Sequence, residues 1–351
     1  MTGLETNIFP IANLAELSSD YRLYRIKGLT PDQNEYYQNC QILKRRLSYL
    51  LRKPVTIIER EGIPYLVVRD DADDPPSPFP LVRTAPVFER CPGVLRLDYT
   101  IRSRENDEIC IRFLQFILQA PLRANTELWQ PGAGQPFFEK THSGMQGDVL
   151  HYIGYSVHTV VVPSGGLGFC VDIASRYVGR TPLPARLDRN AFPTWKGRHC
   201  IYHYGYQWFD IQLTGLDDRN ASEYLVPKGE RWIPLLDYVI EESGKPIPPE
   251  LAQIPHDAAV VIYRNNQDQE RGAPSPLCYP VYGTEIEDAG GQQRSAIFEP
   301  HRRRAMIHRF VQRYLLNLRF GAAEIRVSPA PLSLSPRIFP VPDYKFGHSR
   351  V

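Results

Sequence analysis

Proline sets the tightest limit on this chain, occupying 32 of its 351 positions. Its ring fixes φ and removes a backbone donor, so it breaks helix interiors and keeps to the edges and ends of sheets. Twenty tyrosines add to the preference for strands. The expected fold class is therefore α+β, with short strands, turns and extended connections rather than a helical bundle. Apolar residues at 42% and charged residues at 23% make a globular chain rather than a disordered one. Its length calls for more than one module, each with its own core. No run of apolar residues is long enough for a membrane helix, and the acidic start lacks the apolar stretch of a signal peptide. Cys40, Cys91, Cys110, Cys170, Cys200 and Cys278 form no CxxC pair. They read as buried thiols of a cytoplasmic protein, not as a disulfide framework or zinc site.

Residues 21–29 alternate as a strand. Pro31 and Asp32 then open a helix with Tyr36, Cys40, Leu43, Leu47 and Leu50 as its buried stripe. Lys44, Arg45, Arg46, Arg52 and Lys53 decorate the remainder, and the helix ends before Pro54. Residues 55–70 form a hairpin turning at Glu61-Gly62, and the acidic, proline-rich stretch 70–80 reads as a solvated surface loop. A strand at 94–101 precedes a second helix at 106–119, with Ile109, Phe113, Phe116 and Ile117 on one face. Apolar strands at 149–162 and 167–173 meet at a Pro-Ser-Gly-Gly turn, and Pro182, Pro184 and Pro193 mark a linker near 178–197. A strand-rich module follows, with a short helix at 233–242. Residues 300–318 read as one amphipathic helix burying Ile307, Phe310, Val311, Tyr314, Leu315 and Leu318.

Catalytic signatures are missing: there is no P-loop, HExxH or GxSxG. Gly165-Gly166-Leu167-Gly168 leads into an apolar strand, so it reads as a hairpin turn rather than a phosphate loop. Asp70, Asp71, Asp73 and Asp74 are contiguous, the wrong geometry for a preorganised metal pair. His203, His256, His301 and His308 show no ligand spacing. No catalytic residue, metal or cofactor is expected.

Two signals rise above this background. Between 294 and 319 lie Arg294, Arg302, Arg303, Arg304, Arg309, Arg313 and Arg319 against Glu299 alone, a local +6 in a chain of net +2. Arg302, Arg309 and Arg313 share one helical face. Guanidinium forks match phosphate oxygens, so the stripe reads either as a phosphate contact or as a solvated helix back. The second signal is YHYGYQWF at 202–209, followed by Tyr224, Trp232, Tyr238, Tyr263, Tyr279 and Tyr282. Aromatic faces beside cations hold single-stranded nucleic acid; the alternative is a strand module packing its core with aromatics.

In this order the segments resemble the amino-terminal half of a prokaryotic Argonaute. The resemblance rests on RFGAAEIRVSPAPLSLSPRIFPVPDYKFG, with Phe320-Gly321, Arg337 through Pro342, and Phe346-Gly347 at the family's marked places. It rests also on GLGFCVDIASRYV (Val171, Asp172, Ala174, Ser175, Tyr177), on KGRHCIYHYGYQWFDIQLTGL, and on WIPLLDYVIEESGKPI. It implies an N domain at 1–120, a strand-rich first linker at 121–197, an OB-like PAZ barrel at 198–290 and a second linker with the amphipathic helix at 291–351.

PAZ in this family holds the guide's 3′ end between aromatics. The family's strand aromatic and histidine fall on Phe209 and His203, and its helix pair on Tyr238 and Val239. A further tyrosine falls near Pro274. The pocket is then either rebuilt by Tyr204, Tyr206 or Tyr263, or degenerate. Expected nucleic-acid contacts are His203, Tyr204, Phe209, Tyr238, Tyr263, Arg302, Arg303, Arg309 and Arg313. The resemblance also implies that the MID and PIWI domains are missing, so that the chain is a fragment or one half of a split protein. Its partners would be guide RNA or DNA, a target strand and a MID–PIWI chain, and it would not be an enzyme by itself. The other reading is an Argonaute-derived interaction scaffold.

Overall fold

The computed structural model describes residues 4–29, 33–81, 84–162, 165–190, 192–204, 207–228, 231–242, 253–264, 269–282, 285–287, 293–295 and 298–334. Its helices are α1 (Leu14–Leu17), α2 (Gln33–Leu51), α3 (Arg104–Ala124), α4 (Leu235–Glu242) and α5 (Pro300–Phe310). Strands make up most of the rest, so the chain is α+β and strand-rich. Tyr206, Arg337 through Pro342, Phe346-Gly347 and the first half of the turn at 163–166 lie outside the described residues.

The first sheet runs Thr56–Arg60, Ile63–Arg69, Ser19–Lys27, Val87–Arg90, with Leu95–Leu97 also paired to Ser19–Lys27. Its hairpin turns where expected. Glu61 and Gly62 take φ of 53° and 73°, the two left-handed residues that a twist-matched two-residue turn demands. Helix α2 lays Tyr36, Leu43 and Leu47 on this sheet. Leu50, expected in the stripe, is 56% exposed, and Leu51 packs against the core in its place. The row advances four residues after Leu47, not three.

The stretch 70–80 is not a free acidic loop. Arg22 pairs with Asp70 and Asp74, Tyr24 donates to Asp74, and Lys53 and Arg69 hold Asp71 at 3.4 and 3.2 Å. Ala72 and Phe79 are buried beneath. Arg22 and Arg69 come from strands and Lys53 from the turn after α2, which a count along the loop cannot register.

Ser103 caps α3, accepting from the Asn106 amide at 3.3 Å. Ile109, Phe113 and Ile117 are buried as expected, whereas Phe116 stands on the flank between Tyr49 and Phe320. This helix and α5 share one core with the long hairpin Val149–Val161 and Leu167–Gly179.

That hairpin belongs to a large sheet ordered Glu270–Pro274, Ala259–Arg264, Gln207–Asn220, His199–Tyr204, Cys278–Tyr282, Leu167–Gly179, Val149–Val161, Phe137–Glu139, Leu128–Trp129. The connection near 178–197 lies along a continuous sheet, and the residues from Leu183 to Cys278 keep a core of their own. Tyr177 and Val178 pair with Tyr282 and Val281, so one sheet runs through. Leu183 and Phe192 are buried, and the Leu183 amide donates to the Cys278 carbonyl at 2.8 Å. The barrel expected at 198–290 is an open path among the described residues, with no pairing between its end strands. Gln207–Asn220 bends through two register shifts against Ala259–Arg264, which curls the path without closing it.

The expected single helix at 300–318 stops at Phe310. A π turn, Val311–Leu315, follows, and Asn317–Phe320 pairs with Ala323–Arg326. The wider turn resets the phase, and Val311, Leu315 and Leu318 still reach the core. Ile8–Pro10 adds to Leu167–Gly179, Leu4–Glu5 pairs with Ser333–Leu334, and Ile11 bridges Val327. No helix among the described residues is long and apolar enough to cross a membrane.

Candidate nucleic-acid interface

Alternation along His199–Tyr204 decides which aromatics meet. Cys200, Tyr202 and Tyr204 lie on one face, Ile201 and His203 on the other. Across the ladder Tyr202 faces Phe209, His203 faces Trp208 and Tyr204 faces Gln207. Tyr202 stands 6.0 Å from Tyr204 and 6.2 Å from Tyr263, centroid to centroid. Tyr204 stacks with Tyr238 at 6.3 Å. Leu235, Leu236 and Val239 anchor α4 in the module's core, which fixes Tyr238 against this wall and turns Val239 away from it.

Thus Tyr204, Tyr238 and Tyr263 come together around Tyr202. Phe209 shares their sheet face and is 38% exposed, whereas Ile211 and Leu213 further along the strand are buried. Burial pushes the Tyr263 phenol up to about 12 and the Tyr202 phenol well above its ordinary value. Both stay neutral near pH 7; Tyr202 belongs to the core, and Tyr204 and Tyr263 pack half-buried against it. Phe209 is thus an exposed phenyl group at the edge of a largely buried tyrosine cluster.

His203 is not part of that face. Its ring lies between Trp208 at 4.1 Å and Tyr279 at 4.3 Å, both stacked. Trp208 in turn meets Trp129 and Tyr152. Burial, aided by the Lys140 ammonium, pushes its pKa down to about 3, so the ring is neutral. It joins the strands at 199–209 to the preceding sheet.

The arginine segment also differs from its reading in sequence. Arg303 pairs with Asp172, Arg304 with Glu5 at 2.7 Å, Arg313 with Glu127 at 2.8 Å and Arg319 with Glu324 at 2.6 Å. Four of these arginines therefore sit against carboxylates, three of them on distant segments. Arg302 lies 5.5 Å over the Phe298 ring. Arg309 has no ion-pair partner among the described residues and stands near Glu139. Arg313 falls in the π turn rather than on the stripe with Arg302 and Arg309.

Sequence reading missed Tyr202 as the centre of the wall and Trp208 and Tyr279 as the stack around His203. Strict two-residue alternation through YHYGYQWF carries that signal. No group of three or more His, Cys, Asp or Glu gathers in metal-holding geometry among the described residues.

No family model and no curated protein matches the sequence. Solved structures do match it. The chain superposes on Drosophila Piwi with a TM-score of 0.50 at 10% identity, covering 94% of this chain and 43% of that one. It superposes on Aa-Ago, crystallised with externally bound siRNA, with a TM-score of 0.52 at 14% identity, covering 94% and 44%. The fold is Argonaute-like. Identities this low establish a shared fold and nothing finer. The chain spans less than half the length of either Argonaute protein, and nearly all of it takes part in the match.

Proposed function

We propose that this chain is the nucleic-acid-binding, non-catalytic half of an Argonaute, covering its N domain, first linker, PAZ and second linker. It holds the guide 3′ end and the guide–target duplex together with MID and PIWI domains, in guide-directed defence of a prokaryotic cytoplasm. Cleavage on this reading belongs to PIWI. The observation that carries it is the exposed Phe209 on the same sheet face as the Tyr202, Tyr204, Tyr238 and Tyr263 wall. The Argonaute-like fold supports the same reading.

A 3′-terminal nucleotide stacks on Phe209 in this account. Truncating a stacking aromatic costs about 1–3 kcal/mol per base. Phe209→Leu keeps most of the apolar volume and removes the π face. It should weaken single-strand binding roughly tenfold or more for all bases alike, with an unchanged melting temperature. A folded Phe209→Leu protein of normal affinity refutes the pocket. A second reading, an Argonaute-derived interaction scaffold, draws support from the ion pairs of Arg303, Arg304 and Arg313, which occupy guanidinium groups otherwise open to phosphate.

A further inference from the structure

Helices α2 and α3 both pack on Thr56–Arg60, and their outer faces bring together side chains that the proposed function does not use. On α3, Arg112, Phe116, Gln119 and Arg123 follow at steps of four, three and four, one face of the helix. On α2, Arg45 and Tyr49 lie one turn apart, with Lys44 beside them. Tyr49, Phe116 and Phe320 meet edge to face, at 6.5, 5.4 and 5.1 Å between centroids. These rings floor the junction.

The guanidinium groups around it are held in place. Arg112 donates to the Ile57 carbonyl at 2.8 Å and to Glu108 at 2.6 Å. Arg123 donates to the Gln119 and Gln130 side-chain oxygens at 2.8 and 2.9 Å. Lys44 is half-buried, and neither it nor Arg45 has an ion-pair partner among the described residues. Burial lowers the Lys44 pKa, and Arg112 and Arg123 lower it further, partly offset by Cys40. Desolvation, with Arg45 adding to it, likewise holds Arg123 below its ordinary value.

Gathering cations on a partly desolvated surface is unfavourable unless an anion completes the group. Glu108 answers only Arg112. We propose that this α2–α3 face is a binding site for a phosphate-type oxyanion, with Lys44 at its centre and Arg45, Arg112 and Arg123 around it. The phosphate comes either from a nucleic-acid backbone or from free inorganic phosphate. Only the first source rests on the nucleic-acid reading.

The test uses the full chain with Lys44→Met and, as a surface variant that leaves the core alone, Arg45→Gln. Melting is followed in sodium phosphate and in sodium chloride of equal ionic strength. The parent should gain stability in phosphate in a saturable way, as ligand binding to the folded state requires. Lys44→Met should melt no lower than the parent in chloride, since a repelling cation is gone, and should lose the phosphate gain. Arg45→Gln should halve that gain or more. An equal phosphate gain in parent and variants overturns the site. So does a Lys44→Met protein that melts well below the parent in chloride, which marks a structural cation.

A labelled single strand then separates the sources. A three- to tenfold loss of affinity in Lys44→Met, with the salt slope lower by about 0.7, assigns the site to backbone phosphate. An unchanged strand affinity beside a lost phosphate gain assigns it to the free ion. The melting arm contains no nucleic acid, so its failure is distinct from failure of the Phe209 pocket.

Discussion

Gly321 is the most exacting position between the hairpin Asn317–Phe320/Ala323–Arg326 and α2. It has φ of +60°, and a Cβ there would overlap the Arg52 carbonyl oxygen and lie 3.0 Å from its carbonyl carbon. Arg52 directly follows α2 and is itself left-handed, at φ 52°. Gly321→Ala therefore meets two costs. The left-handed conformation of a residue with a side chain costs about 1–2 kcal/mol. Relieving the overlap moves the hairpin and loosens the contacts of Phe320 with Tyr49 and Phe116, each worth about 0.5–1.5 kcal/mol. The sum is about 2–5 kcal/mol.

Gly62 supplies the control. Its φ is +73°, and a Cβ there meets nothing within 4 Å. Gly62→Ala should cost only the conformational part, about 1–2 kcal/mol. Urea denaturation followed by intrinsic fluorescence reads both variants. Gly321→Ala should lose about 1–3 kcal/mol more than Gly62→Ala, by subtraction of the shared left-handed cost. Equal losses would refute the close approach and with it the docking of the hairpin on α2.

Two further outcomes follow from the same geometry. The His203 pKa is about 3 in the folded chain against 6.5 ordinarily, so the unfolded chain takes the proton first as pH falls. Stability is then complete above about pH 6.5 and declines towards pH 3. The loss at pH 5 is about 1–2 kcal/mol, and His203→Phe, which keeps the stack, should flatten it; an unaltered pH dependence in that variant would show a ring that titrates normally. Among the arginines, Arg302→Glu and Arg309→Glu should each lower the salt slope of single-strand binding by about 0.7. Arg303→Ala and Arg313→Ala should leave the slope alone and change stability by less than about 1 kcal/mol; a slope that falls in the paired variants instead would place Arg303 and Arg313 on phosphate.

What could be read from the sequence was what depends on near neighbours. The Glu61-Gly62 turn, the buried row through Tyr36, Leu43 and Leu47, and the Val149–Val161 hairpin all follow from local conformational preference and periodicity. What could not be read was supplied from far away. The aspartates at 70–74 and the arginines at 303–319 looked unbalanced because their partners lie on other strands or at the opposite end of the chain. The aromatic run at 202–209 drew the candidate contacts together, but only the pairing with Gln207–Asn220 divides it into a tyrosine face edged by the exposed Phe209 and a packed stack around His203. Lys44 and Arg45 read as ordinary solvated charge on a helix back, and their approach to Arg112 and Arg123 on the next helix is set by tertiary packing.

The pairing of residues 4–11 with 327–334 has a consequence for synthesis. The Thr6 amide donates to the Leu332 carbonyl at 2.9 Å, and Ile8 and Pro10 receive the Leu332 and Ser328 amides. These residues emerge from the ribosome first and last among the described ones, so that part of the sheet edge stays open while everything between is translated. Phe9 and Ile11 belong to the core shared with α3 and α5. Until α5 appears they remain apolar groups without their final cover, while the sheet beneath α2 has all its strands early. The late step closes a loop of some three hundred residues, which makes it a slow, non-local event. Nascent chains stalled before residue 327 should therefore keep residues 4–6 accessible to protease, and release past 334 should protect them.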